Sequence, residues 1–157
     1  MDDVTIARAI HVVAILHWIG GVAFVTTVIL PAVSAMTGPS GGLELFEAVE
    51  RRFSAQVKIS VPLVGLSGAY MAERLDSWSR FVAPEGWWLT AMVVVWLVFM
   101  AILFVIEPFV LRERFRQRAL ADPTGTIRLL LGAHRALLGA VAVTVGAAVL
   151  GAHGLLG

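Results

Sequence analysis

No residue between Ala9 and Leu43 carries a formal charge, and an interval of that length and polarity constrains this chain more than any other feature. A bilayer core of ~30 Å is crossed by ~20 apolar residues at a rise of ~1.5 Å each, and backbone groups deprived of water must bond within their own segment. The interval therefore reads as a membrane-spanning helix. Two histidines lie inside it. His11 and Trp18 are seven residues apart and share a helical face, with Gly21 a turn further along the same side. His17 is rotated away from His11, so the two do not serve one site from one face. A polar ring inside a membrane helix is a candidate functional group, and imidazole is the cheapest such group to keep neutral there.

The remainder of the chain has the same character. Of its 157 residues 59% are hydrophobic and 15% charged, and the mean hydropathy of +0.87 lies far outside that of soluble domains. This predicts an all-α integral membrane protein, one domain of four antiparallel transmembrane helices. Turn residues and charge place them at about 5–36, 53–72, 86–106 with a basic extension to about 120, and 126–155. Met-Asp-Asp precedes the first span where a signal peptide would have basic residues, so that span reads as retained. The absence of cysteine excludes disulfides, thiolate metal sites, iron–sulfur clusters and covalent c-type haem. No basic patch interleaved with aromatic residues is present, so the expected partner is the lipid bilayer and not nucleic acid.

Punctuation between the spans is clear at Thr37-Gly38-Pro39-Ser40-Gly41-Gly42 and at Glu107-Pro108, which should close the first and third helices. Leu43 to Gln56 mixes charged and apolar residues as an interfacial lead-in to helix 2. Lys58 then falls at the bilayer edge, where snorkelling to the headgroups is favoured over a functional cation. Trp78, Trp87 and Trp88 read as an interfacial belt. Basic residues are lopsided: Arg8, Arg74 and Arg80 on one side, and Arg51, Arg52, Lys58, Arg112, Arg114, Arg116, Arg118, Arg128 and Arg135 on the other. Short loops rich in arginine stay inside, which predicts an inner (plasma) membrane protein with both termini outside, in the periplasm of a Gram-negative cell.

Depth orders the histidines. At ~1.5 Å per residue His11 comes ~5 Å below the outer boundary, His17 ~14 Å and His153 ~3 Å, with His134 near the inner boundary. His11 and His153 alone share a level, as the two axial imidazoles of a haem held between facing helices must. Gly151 and Gly154 would let the macrocycle approach the fourth helix. Arg74 and Arg80, on the connector at that level, are candidates to pair with the propionates. The expectation is a b-type haem protein, with His11 and His153 as iron ligands and His17, Trp18 and Gly21 nearby. It would exchange electrons with a membrane quinone or a periplasmic carrier. The rivals are a copper or small-solute transporter with His11 and His17 along its path, and a non-catalytic membrane subunit; a homo-oligomer is compatible with each reading.

The pattern of His11, Trp18 and Gly21, followed by Pro31 and the Arg51-Arg52-Phe53 entry to helix 2, resembles the superfamily that includes CopD-type copper-resistance proteins and HemJ-type protoporphyrinogen oxidases. The resemblance follows the helix order over nearly the whole chain. The HemJ side implies haem b on His11; the CopD side implies copper handling. Two HemJ positions differ, an arginine replaced at about Thr27 and a lysine at Met92 of Trp88-Leu89-Thr90-Ala91-Met92. These departures argue against protoporphyrinogen oxidase activity and leave haem binding open. No Met–His copper cluster is visible, since Met36 and Met71 fall at opposite faces.

Overall fold

The computed structural model describes residues 3–36 and 39–155, of which 39–41, 43, 110–113, 115 and 116 are described as backbone only. The first rod consists of α1 (Asp3–Phe24), a π segment (Val25–Ile29) and α2 (Leu30–Ala35). Pro31 has no N–H and its ring would strike the carbonyl one turn back; the widened turn just ahead of it absorbs both defects. Ala7, Ala14, Trp18 and Val22 form the buried stripe of α1, while Val13 and Leu16 on other faces are exposed. A helix with protein on one side and hydrocarbon on the other is apolar all round, and α1 is.

The second rod, α3, is one helix from Pro39 to Arg74. The expected lead-in and span are thus continuous, and the expected loop is shorter than its residues suggested. Pro39 is accommodated at the helix start because N–H groups there have no intrahelical partner to lose; Thr37 and Gly38 lie outside the described residues. Three segments, Asp3–Ala35, Pro84–Phe109 and Pro123–Ala152, are long and apolar enough to cross a membrane. The α3 helix is long enough, but its charged first half sets it apart. It nevertheless lies along the whole of the first rod, antiparallel: Val33 meets Gly42, the Phe53 ring covers Gly21, His11 meets Ser67, and Asp3 pairs with Arg74.

Two short 3₁₀ turns, Trp78–Phe81 and Pro84–Gly86, lead into α4 (Trp87–Ala101), a second π segment (Ile102–Leu111) and α5 (Arg112–Ala121). Glu107-Pro108 therefore does not end the third helix. The π geometry carries the chain through the proline as it does at Pro31. The fourth rod, α6 (Pro123–Ala152), starts earlier than expected because Asp122 caps it, accepting from the Gly125 N–H, with Pro123 in the first turn. His153 is its C-cap residue, and Gly154 takes the left-handed conformation at φ +73°.

Aromatic rings seated on glycines set the helix spacing. The Trp96 indole lies where a Cβ on Gly65 would stand, and the Trp88 indole lies where one on Gly151 would. Gly139 and Gly146, by contrast, have nothing within 4 Å, so most of the small-residue surface of α6 is open. Trp78 and Trp87 are exposed as a belt requires, but Trp88 turns inward. Trp18 packs edge-on to Phe99 at 4.8 Å between ring centroids, within a core that includes Val57, Val61 and Val141. A second cluster of Leu30, Val33, Phe46 and Ile127 closes the end near the π segment of the first rod. Large apolar side chains such as Leu66, Val94 and Val143 face outward. In an integral membrane protein that is the surface lipid covers.

Candidate functional site

The seam between α1 and α3 collects the polar side chains of the membrane interior. The His11 Nδ1 lies 3.0 Å from the Val64 carbonyl oxygen and 3.0 Å from Ser67 Oγ. A carbonyl only accepts, so Nδ1 carries the proton and donates to Val64, leaving Nε2 with the free lone pair. The serine hydroxyl donates to the carbonyls of its own preceding turn, Leu63 and Val64. Gly68 completes the seat: a Cβ there would come within 3.3 Å of His11 Cε1.

His17 occupies the next level of the same seam. Its Nε2 lies 3.2 Å from Gln56 Oε1 and its Nδ1 3.2 Å from Ser60 Oγ. The amide oxygen is an acceptor, so Nε2 donates to it and Nδ1 accepts from Ser60. The two histidines are rotated apart around α1, yet contrary to expectation both rings reach α3, six residues or ~9 Å apart in height. A lipid-side cleft of about 520 Å³ opens at the lower one, lined by His17, Gln56 and Ser60 among Ile10, Val13, Ile59 and Leu63.

A further polar group on α3 faces the third rod and not α1. Lys58 Nζ donates to Glu107 Oε1 at 3.0 Å, and Ser54 Oγ donates to Oε2 of the same carboxylate at 2.6 Å. The lysine therefore has a partner across the helix interface and does not simply reach for the headgroups. Sequence reasoning missed this because it took Glu107-Pro108 as a helix end. The available signal was a single carboxylate among Ile102–Leu111, opposite a single lysine on the neighbouring span.

The other sequence-selected residues are dispersed. Trp18 is buried, and its Nε1–H has no hydrogen-bond partner; Gly21 is covered by Phe53. Arg74 pairs with Asp3 at 2.9 Å, and Tyr70 donates to the same carboxylate. Arg80 lies over the Trp88 ring at 5.6 Å. His153 is exposed, with Nδ1 on the Val149 carbonyl at 2.8 Å, and His134 makes the same bond to Leu130 at 3.0 Å. Among the described residues no hydrogen bond or ring contact joins His11 to His153, and no group of three or more His, Cys, Asp or Glu forms a metal cage.

Comparison with curated proteins and with solved structures gives no match. A protein-family model described as copper resistance protein D matches residues 47–150. That interval takes in Gln56, Ser60 and Ser67, the α3 side of the seam, together with Lys58 and Glu107 between α3 and the third rod, and begins after the first rod with its two histidines. It covers well over half of the chain, and with the helical architecture it fixes the affiliation: this integral membrane protein belongs to the CopD family.

Proposed function

We propose that the protein passes a copper ion along the α1–α3 seam, with His11 and His17 as successive imidazole donors. The observation that carries this reading is the ladder itself. His11 with Ser67 and His17 with Ser60 and Gln56 stack at two levels of the α1–α3 interface, and Ser54 and Lys58 with Glu107 lie on the other side of α3, against the third rod. Polar groups inside a span are costly and mark solute pathways, and neutral imidazole is a good copper donor. His11 offers Nε2 as it stands. At His17 the Nε2 proton is held by Gln56, so binding there requires the amide to release and the tautomer to exchange. The test is copper binding and uptake in proteoliposomes: His11→Ala and His17→Ala should each lower both at least tenfold, while His134→Ala leaves both unchanged. Wild-type uptake from both seam variants would end the proposal.

A second reading, haem b, is favoured by a separate observation. His11 and His153 both have Nδ1 tied to a backbone carbonyl, the arrangement that orients an imidazole for metal ligation through Nε2. As a donor set the two histidines fit a haem iron. The Gly151 surface of α6 is filled by Trp88, which a macrocycle lying there would have to displace. In this reading His11 and His153 hold the group, Arg74 and Arg80 meet its propionates, and it supplies one-electron transfer to a quinone or periplasmic carrier. A Soret band in the detergent-purified protein, lost in His11→Ala and in His153→Ala, is the expected result; a colourless protein that retains copper binding refutes it.

A further inference from the structure

Two cations stand at the basic end of the bundle, and the structure treats them differently. Lys58 has an internal counter-ion in Glu107. Arg135 has none: among the described residues the ion pairs are Lys58–Glu107 and Asp3–Arg74. Arg135 stands seven residues, ~10 Å of helix, further into the span than Arg128. That puts it beside His134 near the inner boundary, at the level where lipid phosphates reach a cation. Beside it a cleft of about 460 Å³ opens between α6 and the π segment of the first rod, lined by Thr26, Thr27, Pro31, Arg135, Gly139 and Ala142 with one leucine, and by no carboxylate.

We propose that this cleft binds an anionic membrane phospholipid, its phosphodiester on Arg135 and an acyl chain along Gly139 and Ala142. Three features fit that occupant. The guanidinium is a planar multiple donor suited to phosphate oxygens, and basic pockets between spans bind anionic headgroups. Gly139, and Gly146 one heptad on, have nothing within 4 Å, leaving a shallow track for a hydrocarbon chain in the membrane-ward direction. The threonine hydroxyls already donate to their own helix, Thr26 to Val22 and Thr27 to Ala23, so they meet the ligand only as acceptors. In the π pattern the Leu30 N–H reaches the Val25 carbonyl; Pro31 has no N–H to give Thr26 in the next bond of that series. The wall is thereby rich in acceptors, which suits a headgroup that carries hydroxyls as well as phosphate, as phosphatidylglycerol does.

The experiment reconstitutes the full chain in phosphatidylcholine vesicles with and without phosphatidylglycerol, then counts retained lipids by native mass spectrometry after detergent extraction. Phosphatidylglycerol should be retained above its bulk share by wild type, by Arg128→Gln and, in part, by Arg135→Lys. In Arg135→Gln the enrichment should fall about fivefold, the factor one membrane-surface charge carries. Gly139→Leu should produce a similar fall by filling the cleft with the arginine intact. Equal enrichment in Arg135→Gln and wild type overturns the proposal. So does displacement of the lipid by inorganic phosphate alone, which would reduce the site to a free-anion site, or retention that tracks a second copy of the chain in the spectrum. Arg135→Lys and Gly139→Leu separate a failed site from a failed fold, since both keep the charge.

Discussion

Lys58→Met tests the least expected contact in the structure. The substitution removes the ammonium 3.0 Å from Glu107 Oε1 and leaves the carboxylate with the Ser54 hydroxyl at 2.6 Å. Two unit charges ~4 Å apart at an effective dielectric of ~20 attract by ~4 kcal/mol before desolvation is counted. The side chains of Lys58 and Glu107 are 34% and 26% exposed, so solvation and screening take back much of that attraction. A charge-assisted hydrogen bond in such surroundings nets ~1.5–3 kcal/mol. Lys58→Met should therefore cost about 2 kcal/mol of unfolding free energy. Glu107→Gln should cost somewhat less, because an amide oxygen still accepts from Ser54. The double variant should be less destabilised than the sum of the two, with a coupling of about 1–2 kcal/mol. Equilibrium unfolding in mixed micelles, run as a four-member cycle, measures this directly. Additivity to within ~0.5 kcal/mol would refute the pairing and restore a lysine that only snorkels.

Gly65→Ala drives a methyl into the Trp96 indole, whose Nε1 donates to the Val61 carbonyl at 2.8 Å; unfolding in the same micelles should show a loss of ~2–4 kcal/mol from overpacking plus the displaced hydrogen bond. Trp18→Phe removes a buried N–H that has no partner, so the gain offsets much of the lost ring area and stability should change by less than ~1 kcal/mol. Arg74→Gln breaks a pair whose side chains are about half exposed and should cost no more than ~1 kcal/mol. A periplasm-dependent reporter fused after Gly157 should be active and one fused in the Arg112–Arg118 stretch inactive, with the opposite pair of results reversing the orientation.

Membrane class and helix order were legible because they depend on sums: a ~20-residue apolar stretch has one viable structure in hydrocarbon, whatever its details. Boundaries depended on single residues and were less so. Pro39 and Pro108 were read as breakers from their missing N–H, yet one sits where no N–H is needed and the other where a π turn removes the clash. That second misreading hid the ion pair, since a glutamate at a helix end needs no partner and a glutamate within a helix does. The histidines show a different limit. Their depth along α1 follows from ~1.5 Å per residue, but their direction depends on which neighbour α1 faces. Rotation around a helix that is apolar on every side carries no signal of that choice. The structure sets α3 against that face and gives both imidazoles hydroxyl partners there. Ser60 and Ser67 were the available clue. They fall seven residues apart on one face of α3, are both buried, and mark the polar stripe to which a neutral imidazole can turn, while Ser54 faces Glu107 on the third rod.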